Sequence, residues 1–124
     1  MTRVFVYGTL KRGGSNHGFL AGQRFVGEAR TPPGFTLYAL DGYPGLVRDP
    51  TDTEGVTGEL WDVDDACRRR LDALEGLAEG RYQRGTITLA SPHDGFTVTT
   101  YLYARSVAGR TRLGSAWPPA AKPH

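Results

Sequence analysis

The sequence has little that would staple it, anchor it or load it with metal. It holds one cysteine, Cys67, so no internal disulfide can form. That fits a reducing compartment, and a cytoplasmic location is the expectation. No apolar run approaches the roughly 20 residues that span a bilayer. The opening MTRVFVYGTLKRG lacks the apolar core of a signal peptide, and no membrane partner is expected. The net charge is only +2, with basic residues scattered except at Arg68–Arg70. That run reads as the solvated face of a helix, so no nucleic-acid partner is expected. His17, His93 and His124 lie far apart without ligand spacing, and neither metal nor cofactor is expected. No serine sits in a nucleophile-elbow pattern.

What the chain does have is turn formers, with 17 glycines and 8 prolines among 124 residues. One compact, β-rich domain follows from that length and composition. Arg3–Tyr7 alternates and is rich in Val, Phe and Tyr, as a buried strand is. A short helical turn is expected through HGFLAG, capped from Ser15 or Asn16, and QRFVGEAR resumes strand character. FTLYAL and YPGLV flank Asp41-Gly42, a pair suited to the positive φ angles of a tight hairpin. Pro44 and Gly45 are expected to interrupt the second strand as a bulge or edge feature. VTGELWDV alternates again. Asp64 then caps a helix through DACRRRLDALEG that Gly76 stops, with Cys67, Leu71 and Leu74 on one face. RGTITLAS and FTVTTYLYA form a second hairpin. The fold class expected is α+β: a small mixed β-barrel of about six or seven strands with one main flanking helix. The domain is placed at residues 1–108. A loosely ordered tail follows at 109–124, with Trp117 docked on the body.

Three places could carry chemistry. The first is the end of the opening strand, VFVYGTLKRGG. Gly8 and Gly13 have the glycine spacing of a phosphate loop, but Gly14-Ser15 stands where Lys-Ser/Thr is needed and Lys11 lies inside the loop. A strand broken at a glycine can instead leave successive N–H groups unpaired, a cradle for a carboxylate or oxyanion. A plain strand-to-loop turn is the other reading. The second place is Glu75, about 40° round the helix from Leu71. A carboxyl beside an apolar stripe loses hydration, which raises its pKa and makes it a proton carrier near neutrality. Periodicity alone leans to the plainer reading, a helix-end glutamate that reaches water; Asp72 and Glu79 are expected to be solvated. The third is RYQR, Arg81–Arg84, where Tyr82 offers a hydroxyl and Arg84 a bidentate clamp, or both merely pack. Cys67 falls on the core stripe as an inert thiol.

Taken in order, VFVYGTLKRG with NHGFL, GYPGLV, VTGELWDV, LDALEG and YQR resembles the γ-glutamylcyclotransferase-like (AIG2-like) superfamily. The resemblance runs from about Arg3 to Ala104 and is strongest to its γ-glutamylamine cyclotransferase branch. It implies a small β-barrel without metal or cofactor, with the loop after the first strand binding the γ-glutamyl moiety. Tyr7, Gly8, Thr9 and Leu10 match that loop, Glu75 matches the family's acid/base glutamate, and Tyr82 matches the tyrosine of its Y-x-R element. The implied partner is a small γ-glutamyl substrate, with a monomer as the default state. The implied reaction releases 5-oxoproline and a free amine. A non-catalytic binder of a small carboxylate in the same pocket is the alternative, and Glu75 argues against it: an anion binder gains nothing from a nearby carboxylate. A hydrolase using water is a third reading, separated by its product, free glutamate.

Overall fold

A computed structural model describes residues 1–118. Eight strands form one curled mixed sheet, a half-barrel: β1 (Thr2–Val6), β2 (Arg24–Arg30), β3 (Phe35–Ala39), β4 (Pro44–Arg48), β5 (Thr57–Val63), β6 (Tyr82–Thr88), β7 (Thr97–Tyr103) and β8 (Arg112–Gly114). The single α-helix, α1 (Asp65–Leu74), follows β5, and a 3-10 turn covers His17–Leu20. The α+β architecture and single main helix are as the sequence implies.

The alternation in β1 buries both faces. Val4 and Val6 join Trp61, Val63, Cys67 and Leu71 in a core beneath α1. Phe5 and Tyr7 join Leu37, Leu46, Leu60 and Val98 inside the curl. Helix α1 begins where expected, because the Asp64 carboxylate accepts from the Cys67 amide at 2.7 Å. It ends at Gly76, which takes φ +67°. There the Gly76 amide bonds the Ala73 carbonyl and the Leu77 amide bonds the Asp72 carbonyl, the paired closure that a left-handed residue after a helix allows.

The sheet opens at β7. β6 occupies one edge of β7 along all seven residues. β1 and β4 must therefore share the other edge, and they do so in sequence, with Val4 opposite Thr99 and Leu46 opposite Leu102. The sheet splits into two wings between those points. Tyr7 stitches the split: its hydroxyl donates to the Tyr101 carbonyl at 2.6 Å and accepts from the Leu46 amide at 3.3 Å. A side chain thus stands in for a strand's backbone, and a hollow opens beside it.

Three local expectations are corrected. In the first hairpin only Gly42 is left-handed, at φ +84°, and Asp41 is not. The connection is a four-residue loop, Leu40–Tyr43, closed from the Leu40 amide to the Tyr43 carbonyl. Pro44 and Gly45 make no bulge, since the β3–β4 register is regular from Phe35↔Arg48 to Ala39↔Pro44; Pro44 starts the strand, where its missing N–H costs nothing. The tail expected to be loose from residue 109 contains β8, paired with β3, and Trp117 packs against the inner core. This short strand takes the count above six or seven. It has no period of its own because it is held by a partner distant in sequence. Residues 119–124, including His124, lie outside the described part.

Candidate active site

The hollow at the split has a volume of about 320 Å³. The end of β1 supplies one wall with Gly8, Thr9 and Leu10. The end of α1 supplies Glu75, and the start of β6 supplies Arg81 and Tyr82. The structure therefore brings Tyr7, Gly8, Thr9, Leu10, Glu75 and Tyr82 together around one cavity.

After β1 the chain folds into successive turns. The Lys11 amide bonds the Gly8 carbonyl, the Asn16 amide bonds the Thr9 carbonyl, and the Asn16 side-chain amide donates to the Thr9 hydroxyl at 2.9 Å. Asn16 is thus spent on the loop and does not cap the 3-10 turn. Among the described residues, the N–H groups of Gly8, Thr9 and Leu10 donate to no protein acceptor, so three consecutive donors remain for a ligand. Glycine is required at position 8 by space: a Cβ there would lie 2.8 Å from Pro44 Cγ. The loop is tied to the sheet from beneath. The buried Glu59 carboxylate accepts from the Arg12 amide at 3.0 Å, from Arg12 Nε at 2.9 Å and from Trp61 Nε1 at 3.2 Å. Burial opposes ionisation of Glu59, but these bonds outweigh it and its pKa falls.

Glu75 is the residue on which α1 closes, so its side chain leaves the helix at a fixed point and lines the cavity. Burial drives its pKa up to about 7, with the Arg81 charge pulling the other way. At neutral pH it can therefore both accept and return a proton. The surrounding tyrosines are walls. Tyr82 donates to the Pro44 carbonyl at 2.7 Å and Tyr101 to Asp72 Oδ1 at 2.7 Å, while Tyr7 is bound as described. Burial raises the pKa of all three, so they stay neutral.

Two expectations do not hold. Arg84 is no clamp in this cavity: its guanidinium pairs with Asp72 at 2.8 Å. Asp72, expected in solvent, is the half-buried hub that also receives Arg68 and the Tyr101 hydroxyl. Arg81 was missed as a site residue. It precedes the strand and has no periodic signal; only its place in RYQR marked it. Cys67 is buried and free, with its thiol pKa raised by burial. His17 and His93 contact the carbonyls of Leu10 and Glu28, and no group of residues suited to a metal occurs among the described residues. No described helix is long and apolar enough to cross a membrane.

Among the described residues, a carboxyl with a raised pKa thus stands beside a row of free amides in a cleft of small-molecule size, the kind of site that small-ligand proteins present. A family model described as "Gamma-glutamyl cyclotransferase, AIG2-like" matches residues 4–118, and the chain belongs to that family. It is 43% identical over 84 residues to a Vibrio cholerae protein that carries a provisional γ-glutamylcyclotransferase name, covering 68% of this chain and 70% of that one. It is 37% identical over 91 residues to the γ-glutamylaminecyclotransferase of Rattus norvegicus, covering 68% of this chain and 60% of that one. The solved structure of an AIG2-like protein from Mus musculus superposes with a TM-score of 0.73 at 32% identity, covering 84% of this chain and 78% of that one.

Proposed function

We propose that the protein is a γ-glutamyl(amine) cyclotransferase that converts a γ-glutamyl amide to 5-oxoproline and a free amine. The observation that carries this reading is Glu75: a carboxyl held near pKa 7 in the same cavity as the unpaired amides of Gly8–Leu10. The substrate contains its own nucleophile, the α-amine. Folding the glutamyl chain back on itself makes the attack intramolecular, and holding that curl supplies much of the acceleration. The α-nitrogen forms a bond to the γ-carbonyl carbon, and the bond from that carbon to the amide nitrogen breaks. The attacking ammonium gives up two protons and the departing amine gains two, so water is neither consumed nor needed. Glu75 relays these protons between the two nitrogens. The free amides receive oxygen charge as it develops or the substrate's carboxylate. Tyr7 and Tyr82 shape the cavity without titrating.

The test is incubation with ε-(γ-glutamyl)-lysine and with γ-glutamyl peptides, followed by mass spectrometry. 5-Oxoproline is expected. Free glutamate would mean hydrolysis, and no product from any donor would leave only a binding protein.

A further inference from the structure

Among the described residues, the cavity carries one cation. Arg81 stands between the left-handed Gly80 and β6, with its backbone fixed on both sides by the bonds from its amide to the Gly76 carbonyl and from the Ala104 amide to its own carbonyl. Its guanidinium rests against the end of α1. Nη2 donates to the Leu74 carbonyl at 2.9 Å, and the group lies so close over Gly76 that a Cβ there would be 2.6 Å from Nε. The helix end favours positive charge at this spot. Yet the cation is incompletely used. Nε is buried without a partner, the one such side-chain atom among the described residues. Arg81 acts on Glu75 through space, but neither a hydrogen bond nor an ion pair joins them.

The other cations nearby are spent. Arg84 is held by Asp72, Arg12 by Glu59, and Lys11 by the Trp117 carbonyl. The hydroxyls of Tyr7, Tyr82 and Tyr101 all donate to protein oxygens. The cavity thus offers one acidic and one basic side chain, close but not touching, with walls that are otherwise uncharged. That is the complement of a zwitterion whose ammonium and carboxylate sit on one carbon.

We infer that Arg81 is the receptor for the α-carboxylate of the glutamyl head, which leaves the amides of Gly8–Leu10 to the γ-carbonyl oxygen. The inference rests on the cyclotransferase reading and sharpens it. The α-amine then lies at Glu75 while its carboxylate is neutralised by Arg81. Without that cation the substrate's carboxylate would repel the ionised Glu75.

The test compares two donors that differ only in this group: γ-glutamyl-n-butylamide, and 4-aminobutanoyl-n-butylamide, which cyclises to 2-pyrrolidinone. Arg81→Gln removes the charge while keeping a donor for the Leu74 carbonyl. The wild-type preference for the carboxylated donor should fall roughly 10- to 100-fold in Arg81→Gln, through KM, with the second donor little changed. Binding of 5-oxoproline, measured by calorimetry, should weaken by a similar factor. An unchanged preference overturns the inference. So does a variant that loses instead a preference for γ-glutamyl-glycine over γ-glutamyl-n-butylamide, because Arg81 would then serve the leaving group. Thermal melts check folding. Should Arg81→Gln not fold, Arg81→Lys, which loses the planar fork, is read by the same ratio. A wild-type protein that neither turns over either donor nor binds 5-oxoproline overturns the cyclotransferase reading as well.

Discussion

Ionising Glu75 inside the cavity costs the folded chain stability. Its pKa stands at about 7 against 4.5 for the free group, so the folded state holds the proton more tightly. Stability therefore falls as pH rises from 4.5 through about 7, by about 3 kcal/mol in all. Glu75→Gln should match the wild type in urea unfolding near pH 4 and exceed it by up to about 3 kcal/mol above pH 7, while turnover is lost. The proposed mechanism needs an ionised Glu75 to take the first proton, so wild-type kcat/KM should rise with pH through about 7; a flat profile there would remove Glu75 from the chemistry. Glu59 is the opposite kind of acid, ionised and fully bonded. Glu59→Ala strands the donors of Arg12 and Trp61. It should cost about 2 kcal/mol in equilibrium unfolding. It should also raise KM as the loop loosens, without moving the midpoint of the pH profile. Tertiary contact was illegible at this scale: Asp72 looked solvated because its partners, Arg84 and Tyr101, arrive from strands 12 and 29 residues away.

At the scale of elements, the junction from α1 to β6 places Glu75 and Arg81 on the cavity. The helix closes on Glu75, Gly76 turns left-handed, and Arg81 folds back onto the helix end. Gly76→Ala would force a side chain into φ +67° and into Arg81 Nε. It should cost about 1–2 kcal/mol from the backbone alone. Displacing Arg81 should also raise KM for γ-glutamyl donors, so unfolding and KM should change together. This element was the most legible in the chain. Asp64 and Gly76 bracket it, and the stripe of Cys67 and Leu71 sets which face is buried, so the place of Glu75 at the apolar edge followed. The first hairpin was less legible. Asp41-Gly42 marked the turn correctly but not its length, which is fixed by the β3–β4 register ending at Ala39↔Pro44.

Across the whole molecule, the hollow exists because β7 has three partners and β1 and β4 divide one of its edges. The C-terminal segment helps hold the second wing. β8 pairs with β3, the Ser115 carbonyl accepts from the Thr57 amide, and Leu113 and Trp117 pack on the inner core. Truncation after Ala108 should therefore lower stability by about 2 kcal/mol, a fall in Tm of roughly 5–10 °C. A truncated chain that melts with the full one would show that the segment adds nothing.

The sequence by itself determined the alternating strands, the capped helix and the carboxyl at its apolar edge. Those are local matters of period, capping and hydration. Only the tertiary structure decided that the end of β1, the end of α1 and the start of β6 share one cavity. It also decided that Tyr7 bridges the two wings, that Arg84 is spent on Asp72, and that Arg81 is the cation left over. Each of these depends on which distant backbone group or charge lies within bonding distance, and no spacing along the chain encodes that.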